Sequence, residues 1–407
     1  MGARFRLPVA DPAFDQFETP RVRPLHLMAM IPVTQPLVGE DEAEATRAVL
    51  LSGWLAQGPE VEAFEREFAG FVGAPHACAV SNCSVALGLA LQAVGVGPGD
   101  EVITVSLSFI AGANCIRARG AEPVFVDVTP TTFNLDPAEL EGAITPRTKA
   151  ILCAHQIGMP CDLGAILAVA RAHGIPVIED AACAAGSEIL LDGGWQCIGR
   201  PHGDIACFSF HPTKIMTTGE GGMLTTNNAE YDRMFRRWRQ HGMDVPADVR
   251  HNAKGVIFER YAVEGYNYRM TDLQGAIGRR QLKRLPHMVK RRRDLAARYR
   301  ELLTDLPGLG LPPEPNWARS NWQRFCVRLP DRLDQRMAMQ RLRDSGVATS
   351  RGVMCAHLEP PYANSIHRPL PWSEAGQSRC LLIPLYPQMS DGEQDRVAAA
   401  LRDVCRE

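Results

Sequence analysis

The most informative segment of the sequence is CFSFHPTKIMTTGEGGMLTT, residues 207–226, which holds Lys214 in a loop between two apolar runs. The glycines that close this loop permit positive φ angles and close approach of the backbone. Most loop lysines are simply solvated, but flanking runs of buried type predict that Lys214 is partly buried. Burial lowers the pKa of a lysine and makes it a Schiff-base nucleophile. The glycine run is not a P-loop, because the lysine precedes the glycines.

A second segment, PVIEDAACAAGSE at residues 176–188, ends a short apolar run with Asp180. The residues alone leave two interpretations open. An aspartate in front of Ala-Ala-Cys-Ala-Ala is a good helix N-cap. An aspartate at a strand end is equally suited to hold the proton of a pyridinium nitrogen.

A third segment, AVSNCSVALGLAL at residues 79–91, has the pattern of a strand, a short polar turn and a helix. The amides at the start of such a helix, including that of Cys83, suit a phosphate group together with the Ser84 hydroxyl. A capped helix without a ligand is the alternative. Taken together, a phosphate site, a carboxylate and a loop lysine, in this order along one domain, are what pyridoxal 5'-phosphate (PLP) requires.

The elements that must position these residues alternate along the chain. Short β-rich runs occur at 76–80, 101–105, 123–126, 150–154, 176–178, 205–209 and 223–226, and helical patterns at 84–93, 110–119, 137–143 and 163–173. Apolar strands that alternate with helices predict an α/β domain with a mainly parallel, seven-stranded sheet covered by helices. In such sheets ligands bind outside the carboxyl ends of the strands, where the three segments have their polar residues.

The C-terminal part of the chain predicts a smaller α+β domain. A long basic helical stretch at 273–303 leads into it, and Pro286 is expected to kink or split that helix. Its run Lys-Arg-Arg-Arg at 290–293 suits either nucleic acid or, as we favour, a solvated helix face that links two domains. Strands are predicted at 322–329 and 380–383, and helices at 335–345 and 392–402. The expected organisation is a flexible arm at 1–30, a PLP-binding large domain at 31–276, and a linking helix with a small domain at 277–407.

Composition narrows the function classes. The chain has 407 residues, with 44 Lys+Arg against 46 Asp+Glu and a formal net charge of -2, which argues against a nucleic-acid partner. Only five of the 44 basic residues are lysines. Besides Lys214 these are Lys149, Lys254, Lys283 and Lys290, all in helical or charged contexts typical of the surface. One lysine therefore remains for the Schiff base.

The twelve cysteines form no C-x-x-C pair and no zinc-finger spacing with histidine, so no metal site is expected. Many lie inside apolar runs, where a free thiol behaves as a small hydrophobic group. This pattern predicts a thiol-containing core in a reducing compartment, and hence a cytoplasmic protein. The sequence has neither an apolar stretch of about 18 residues, as a transmembrane helix needs, nor a signal peptide in its first 30 residues.

On these motifs the chain resembles the DegT/DnrJ/StrS family of sugar aminotransferases, within the aspartate aminotransferase fold type I. The resemblance covers residues 31–390 and is carried by FSFHPTK…TTGEGGM, SGWLAQGPEVEAFE, GPGDEVI and GYNYRMTDLQ. It implies PLP as the cofactor. Lys214 matches the lysine that binds the cofactor and then moves the proton, and Asp180 matches the acid on the pyridine nitrogen.

The resemblance also assigns the remaining cofactor contacts. Phe109 matches the aromatic residue that stacks on the cofactor ring, and the phosphate is held by Ser84, the amide of Cys83 and Ser209. Asn267, in GYNYRMT, matches an asparagine that reaches the phosphate from the neighbouring subunit, which implies a homodimer with a shared active site.

The chain departs from the family pattern at two positions. Cys83-Ser84 stands where the family often has Gly-Thr, and the serine keeps the hydroxyl. Cys183 stands where the family frequently has Gln or His, and a thiol is a poor hydrogen-bond donor. The contact expected near the cofactor hydroxyl is therefore weakened.

The implied reaction is transamination from an L-amino acid, with L-glutamate as the expected donor, to a keto sugar. The expected acceptor is a nucleotide-linked 3- or 4-keto (deoxy)hexose. A keto-cyclitol aminotransferase, a dehydratase and a non-enzymatic regulator remain as alternatives, although the intact Lys214 and Asp180 argue against the last two. Candidate substrate contacts are Trp54, His155, His211 and His357, with Arg351 and Arg324 as candidate cations for a diphosphate.

Overall fold

The computed structural model describes residues 30–245 and 255–406, so the arm expected at 1–30 lies outside the described residues apart from Met30. The strands are β1 (His76–Val80), β2 (Glu101–Val105), β3 (Glu122–Val126), β4 (Thr148–Ala154), β5 (Val177–Asp180), β6 (Glu188–Leu191), β7 (Gly194–Cys197), β8 (Ile205–Ser209), β9 (Gly222–Thr226), β10 (Ala318–Arg319), β11 (Phe325–Arg328), β12 (Ser350–Arg351) and β13 (Cys380–Ile383). The helices are α1 (Glu40–Ser52), α2 (Pro59–Val72), α3 (Cys83–Ala93), α4 (Ala111–Ala118), α5 (Leu140–Ala143), α6 (Leu163–His173), α7 (Ala229–Trp238), α8 (Asp272–Leu303), α9 (Gln335–Asp344), α10 (Pro371–Arg379) and α11 (Asp391–Arg406).

A seven-stranded sheet in the order β1-β9-β8-β5-β4-β2-β3 forms the centre of the large domain. Only β9 runs antiparallel to its neighbours, so six strands have their carboxyl ends at one edge. Both faces are covered by helices and buried in separate apolar clusters. All seven predicted strands are confirmed. Their runs are apolar throughout because both faces of such a sheet are covered by helices.

A second small sheet, with the order β10-β6-β7, was not expected from the sequence. Its strands are short and partly exposed, so they lack the apolar runs that identified the central sheet. A signal was nevertheless present in the Asp-Gly pair between β6 and β7. Asp192 and Gly193 have φ angles of 51° and 77°, which is the left-handed turn geometry that Asp-Gly favours in hairpins.

Helix α8 runs without a break through Pro286, so of the expected kink or split, the split does not occur. A proline inside a helix removes one backbone donor and crowds the carbonyl four residues earlier, so packing must hold the helix together. Leu285 and Met288, on either side of it, are fully buried and hold both halves in place.

The basic run at 290–293 is also less solvated than predicted. The Arg292 side chain is buried, and its Nη1 donates to the carbonyls of Trp322, Gln323 and Leu385 at 3.0 to 3.2 Å. Arg293 donates to the carbonyl of Ser320 at 2.9 Å. This part of α8 therefore supports the small domain and is not a free basic face.

Helix α8 contributes to the apolar core of the large domain and to that of the small domain. Leu282 and Leu285 pack in the large-domain core, whereas Leu295 and Tyr299 pack in the core formed by the sheet β11-β13-β12 with α9 and α11. Ile31 also packs in this second core. We propose that the domain boundary lies within α8 and that the start of the chain crosses back to the small domain.

All twelve cysteines lie in the described ranges and are free, most of them buried, which agrees with the predicted thiol-containing core. Among the described helices, none combines the length and the apolar character that crossing a membrane requires. The described residues contain no group of His, Cys, Asp or Glu side chains that could hold a metal ion.

Candidate active site

The loop that carries Lys214 is closed at its base by the strands on either side. Phe210 donates its backbone N–H to Gly221 at 2.9 Å, and Thr218 donates to the Phe210 carbonyl at 3.0 Å. Gly219 turns the chain with a φ of 82°, a conformation that favours glycine. The loop therefore presents Lys214 from a fixed backbone at the carboxyl end of β8.

The Lys214 ammonium lies among thiols and a carboxylate. Its Nζ is 3.3 Å from the Cys183 sulfur. Burial alone lowers the pKa of Lys214, but Cys183, Asp180 and Cys83 together raise it above its ordinary value. The expected lowering is thus not found, because the sequence predicts the burial of the loop but not the groups that face it.

Asp180 is the last residue of β5, the strand next to β8. Its Oδ1 accepts the backbone N–H of Ala182 at 3.1 Å, and turns rather than a helix follow at 181–187. The helix N-cap interpretation is therefore wrong. Burial raises the pKa of Asp180, although the Ala182 amide, Lys214 and His155 offset part of this rise.

The turn at residues 82–84 leads directly into α3. Asn82 caps the helix, since its Oδ1 accepts the N–H of Val85 at 3.0 Å. The N–H groups of Cys83 and Ser84 precede that capped position and have no acceptor within the helix. A Cβ on Gly222 would lie 2.5 Å from the Asn82 carbonyl and 2.9 Å from the Cys83 nitrogen. Only glycine lets the start of β9, where the lysine loop ends, lie against this turn.

Two further predicted residues lie at the same edge of the sheet. Phe109 follows β2 and is 70% exposed, an unusual position for a large apolar ring. Ser209 ends β8, and its Oγ accepts a long hydrogen bond of 3.4 Å from the backbone of His211. Both residues therefore lie at the edge of the sheet where β5 ends in Asp180 and β8 leads into the Lys214 loop.

Asn267 is exposed and forms a β-bridge with Gln240. The carbonyl of the adjacent Tyr268 accepts the N–H of Ser81 at 2.9 Å. The segment around Asn267 therefore runs beside the turn at 82–84 of its own chain. Its contact with a neighbouring subunit stays a prediction.

His155, a predicted substrate contact, is buried with 1% of its surface exposed. Its Nδ1 accepts the N–H of Cys161 at 2.9 Å, and its Nε2 donates to Glu179 at 3.1 Å. Burial raises the pKa of Glu179, but hydrogen bonds led by that of His155 lower it below its ordinary value. With both ring nitrogens engaged, His155 supports the strand that ends in Asp180 and is not placed to contact substrate.

His357 is likewise buried rather than exposed to substrate. Its Nδ1 lies 2.6 Å from the Ser106 hydroxyl, which also accepts the His357 backbone N–H at 3.1 Å. Burial lowers the pKa of the imidazole. This pair joins the C-terminal part of the chain to the end of β2.

Three other predicted substrate contacts, Trp54, Arg351 and His211, lie in different surroundings. Trp54 packs against Gly58, where a Cβ would overlap the indole ring. Arg351 is exposed and lies 3.8 Å from Glu359. His211 lies in the lysine loop and is exposed. Of these three, the structure brings only His211 next to the lysine in the loop.

Two buried residues that sequence reasoning missed brace the site from the small domain. The Asn321 amide donates to the carbonyls of Cys183 and Ala185 at 2.8 and 2.9 Å. The Gln323 amide donates to the carbonyl of Thr213, the residue before the lysine. Gln323 was predicted to lie in a strand at 322–329, with Asn321 just before it, but the strand begins only at Phe325. Polar amides in an otherwise buried run were the available signal.

These residues fit the cofactor that the sequence implies. A partly buried carboxylate ends one strand, a lysine follows the next, helix amides lie where only glycine allows close approach, and an aromatic ring stands exposed at the same edge. This combination of fold and site defines the fold type I class of PLP-dependent enzymes.

The chain belongs to the DegT/DnrJ/EryC1/StrS aminotransferase family, whose model matches residues 36–402. It is accordingly a PLP-dependent aminotransferase. It is 41% identical over 383 residues to the spore coat polysaccharide biosynthesis protein SpsC of Bacillus subtilis, covering 92% of this chain and 97% of that protein.

Solved structures of aminotransferases share the fold over most of their length. The aminotransferase TlmJ from Streptoalloteichus hindustanus is 37% identical with a TM-score of 0.84, covering 92% of this chain and 98% of TlmJ. DesI, solved in the presence of its TDP-sugar product, is 32% identical with a TM-score of 0.82, covering 92% of each chain.

Proposed function

We propose that this enzyme transfers the amino group of an L-amino acid, with L-glutamate as donor, to a keto sugar linked to a nucleotide, at C3 or C4 of a (deoxy)hexose. The observation that carries the proposal is that the Lys214 loop after β8, Asp180 at the end of the adjacent β5 and the turn at 82–84 lie at one edge of the sheet. The relatives supply the sugar class, since one is named for polysaccharide biosynthesis and another was solved with its TDP-sugar product. We place the reaction in the cytoplasm as part of the same proposal, because the thiols are free.

In this proposal each residue has a defined task. PLP, when bound, acts as an electron sink for the negative charge that develops on the substrate carbon. Asp180 holds the proton on the pyridine nitrogen. Lys214 acts as the general base that removes the proton from that carbon and returns it. Cys83, Ser84 and Ser209 hold the phosphate, Phe109 covers the ring and Cys183 stands beside the lysine.

The test is the first half-reaction. Purified protein loaded with PLP and incubated with L-glutamate is expected to release 2-oxoglutarate in an amount equal to the enzyme, with a matching loss of the aldehyde absorbance. A nucleotide-linked keto sugar should then restore that absorbance, whereas a free keto-cyclitol should not. Persistence of the aldehyde form with no 2-oxoglutarate would contradict the proposed donor, and turnover with the cyclitol alone would favour the alternative acceptor.

We further propose that the active site is shared within a homodimer, with Asn267 completing the phosphate site of the partner. The exposed position of Asn267 and the large apolar side chains exposed in the same segment support this proposal. They include Phe258 at 87% and Tyr261 at 61% exposure.

Complementation tests the shared site. Two inactive variants, Lys214→Ala and Asn267→Ala, are expected to regain activity when they are mixed and their subunits exchange. One of the two sites in the mixed dimer then has both side chains intact, so activity should reach up to about a quarter of the wild-type value if exchange is random. If the mixture stays as inactive as its components after exchange has been verified by mass, both residues act in the same subunit.

A further inference from the structure

The outer edge of β1 is completed by side chains rather than by another strand. β1 lies at the end of the central sheet and pairs only with β9, so a row of unpaired backbone groups is expected on its other side. There the Ala79 N–H donates to Glu65 Oε1 at 2.8 Å, and the Ala79 carbonyl accepts from Arg239 Nη1 at 2.7 Å. The Ala77 carbonyl accepts from Arg236 at 2.8 Å. Three charged side chains therefore take the place of a neighbouring strand.

Glu65, on α2, joins the two arginines to each other. Arg239 donates to its Oε1, and Arg236 donates to its Oε2 at 2.7 Å. Glu65 and Arg239 are both buried. Burial raises the pKa of Glu65, but the charges of Arg239 and Arg236 lower it below its ordinary value, so the carboxylate stays ionised. Because apolar residues of similar size often stabilise a fold as well as a buried ion pair does, the presence of the pair points to a need for fixed geometry.

The same edge of β1 leads into the turn at 82–84. The Ser81 N–H donates to the carbonyl of Tyr268 at 2.9 Å, and the Tyr268 N–H donates to the Arg239 carbonyl at 2.9 Å. Asn267, which is proposed to reach the phosphate of the partner, directly precedes Tyr268. Arg239 therefore connects two segments, one through its side chain and one through its backbone. They are the strand that leads into the turn and the segment that carries Asn267.

We propose that Glu65 and Arg239 are positioning residues for the phosphate group of the cofactor. This inference rests on the proposed phosphate site and names what holds that site in place. The amides of the turn bind a phosphate only while they stay aimed at it, and a shift of β1 displaces all of them together. Ser84 of the turn and Tyr268 line one groove of about 360 Å³, so both connected segments border the same space. Without the pair, β1 and the segment around Asn267 lose their common anchor.

The test measures the affinity of the cofactor-free protein for PLP and for pyridoxal, which has the same ring and aldehyde but no phosphate. Glu65→Gln keeps the size of the side chain and removes the charge that holds both arginines. It is expected to weaken PLP binding about 10-fold or more, as for the loss of a hydrogen bond to a charged group, and to leave pyridoxal binding unchanged. The phosphorus NMR signal of bound PLP should shift as well, since it reports the surroundings of the phosphate.

Glu67→Gln is the matched control and should leave both affinities unchanged. Glu67 lies on the same helix and likewise accepts hydrogen bonds from an arginine, in this case one of α8, at 2.7 and 3.0 Å. A second variant, Glu65→Met/Arg239→Met, removes both charges of the buried pair. Arg236 then keeps Asp232 as its partner at 2.8 Å. This double variant is expected to fold, because no buried charge is left unpaired, and to show the same selective loss of PLP affinity.

The outcomes separate the inference from the proposed function. A wild-type protein that binds PLP and pyridoxal equally well would show that the turn at 82–84 does not hold the phosphate, and the proposed site would fail. If the wild-type protein prefers PLP, and Glu65→Gln and the double variant prefer it to the same degree, the pair does not position the site. An equal loss of affinity for PLP and pyridoxal, with a lower melting temperature, would indicate a general structural role and would also overturn the inference.

Discussion

Replacing Lys214 with alanine is expected to reduce transamination by at least about 10³-fold, because the general base and the point of attachment of the cofactor are lost together. The other lysines in the described ranges cannot substitute for it, since Lys149, Lys283 and Lys290 are exposed. The measurement is the single-turnover rate of 2-oxoglutarate formation, combined with borohydride reduction and mapping of the labelled peptide. The label is expected on Lys214 in the wild-type protein.

Lys283→Ala is the matched control, because it removes an exposed lysine from α8 and should leave rate and labelling unchanged. A Lys214→Ala protein that still takes up covalent label after reduction, or that retains the wild-type rate, would contradict the assignment. A colourless wild-type protein that cannot be reconstituted with PLP would contradict the cofactor itself.

The second large effect is expected for Asp180→Asn, which keeps the size of the side chain and removes its charge. Without a carboxylate, the proton on the pyridine nitrogen is no longer held, and the rate of the first half-reaction should fall about 10²- to 10³-fold. The absorbance of the bound cofactor should change as well, since its ring loses a proton. An Asp180→Asn variant with the wild-type rate and spectrum would show that the carboxylate does not contact the nitrogen.

The same substitution, which is expected to lower the reaction rate, is expected to raise the thermal stability of the cofactor-free protein. Burial raises the folded-state pKa of Asp180 above its ordinary value, so the protonated form is the one that folding favours. The stability from this group is fully present below the ordinary pKa and is lost as pH rises through the folded pKa. Asparagine cannot ionise, so Asp180→Asn should melt at a higher temperature than wild type at pH 7.

The difference in melting temperature between the two proteins should shrink as the pH falls towards 4. Asp162→Asn, a change of the residue that caps α6, is the control. It should not melt at a higher temperature than wild type at pH 7. A lower melting temperature for Asp180→Asn at neutral pH would mean that the charge of Asp180 stabilises the fold, in contradiction to its raised pKa.

Much of the fold could be predicted from the sequence because its signals are local. All seven central strands lie in short apolar runs, and the Gly- and Pro-rich breaks between them mark where each element ends. The errors have tertiary causes. Pro286 does not split α8 because buried neighbours hold the helix, and the β6–β7 hairpin escaped notice because its strands are half exposed.

Some residues of the candidate site could likewise be predicted from local signals, and others could not. Lys214, Asp180 and the turn at 82–84 each end or follow a strand, so a parallel sheet brings them to one edge whatever the details of packing. Position at a strand end does not by itself show whether a side chain faces a substrate, since His155 also follows a strand, β4. His155 and His357 are buried and hydrogen-bonded within the protein, and no local pattern distinguishes a buried histidine from one that faces a substrate.

By itself, the sequence determined the class of fold and the family, and it predicted the lysine and the carboxylate that we propose for catalysis, because these depend on residue type and on position relative to strand ends. Only the tertiary structure decided what surrounds the lysine. From the small domain, more than a hundred residues further along the chain, Asn321 donates to the carbonyl of Cys183 and Gln323 donates to the carbonyl of Thr213. Contacts between distant segments depend on how two domains pack, and that packing leaves no periodic pattern in either segment.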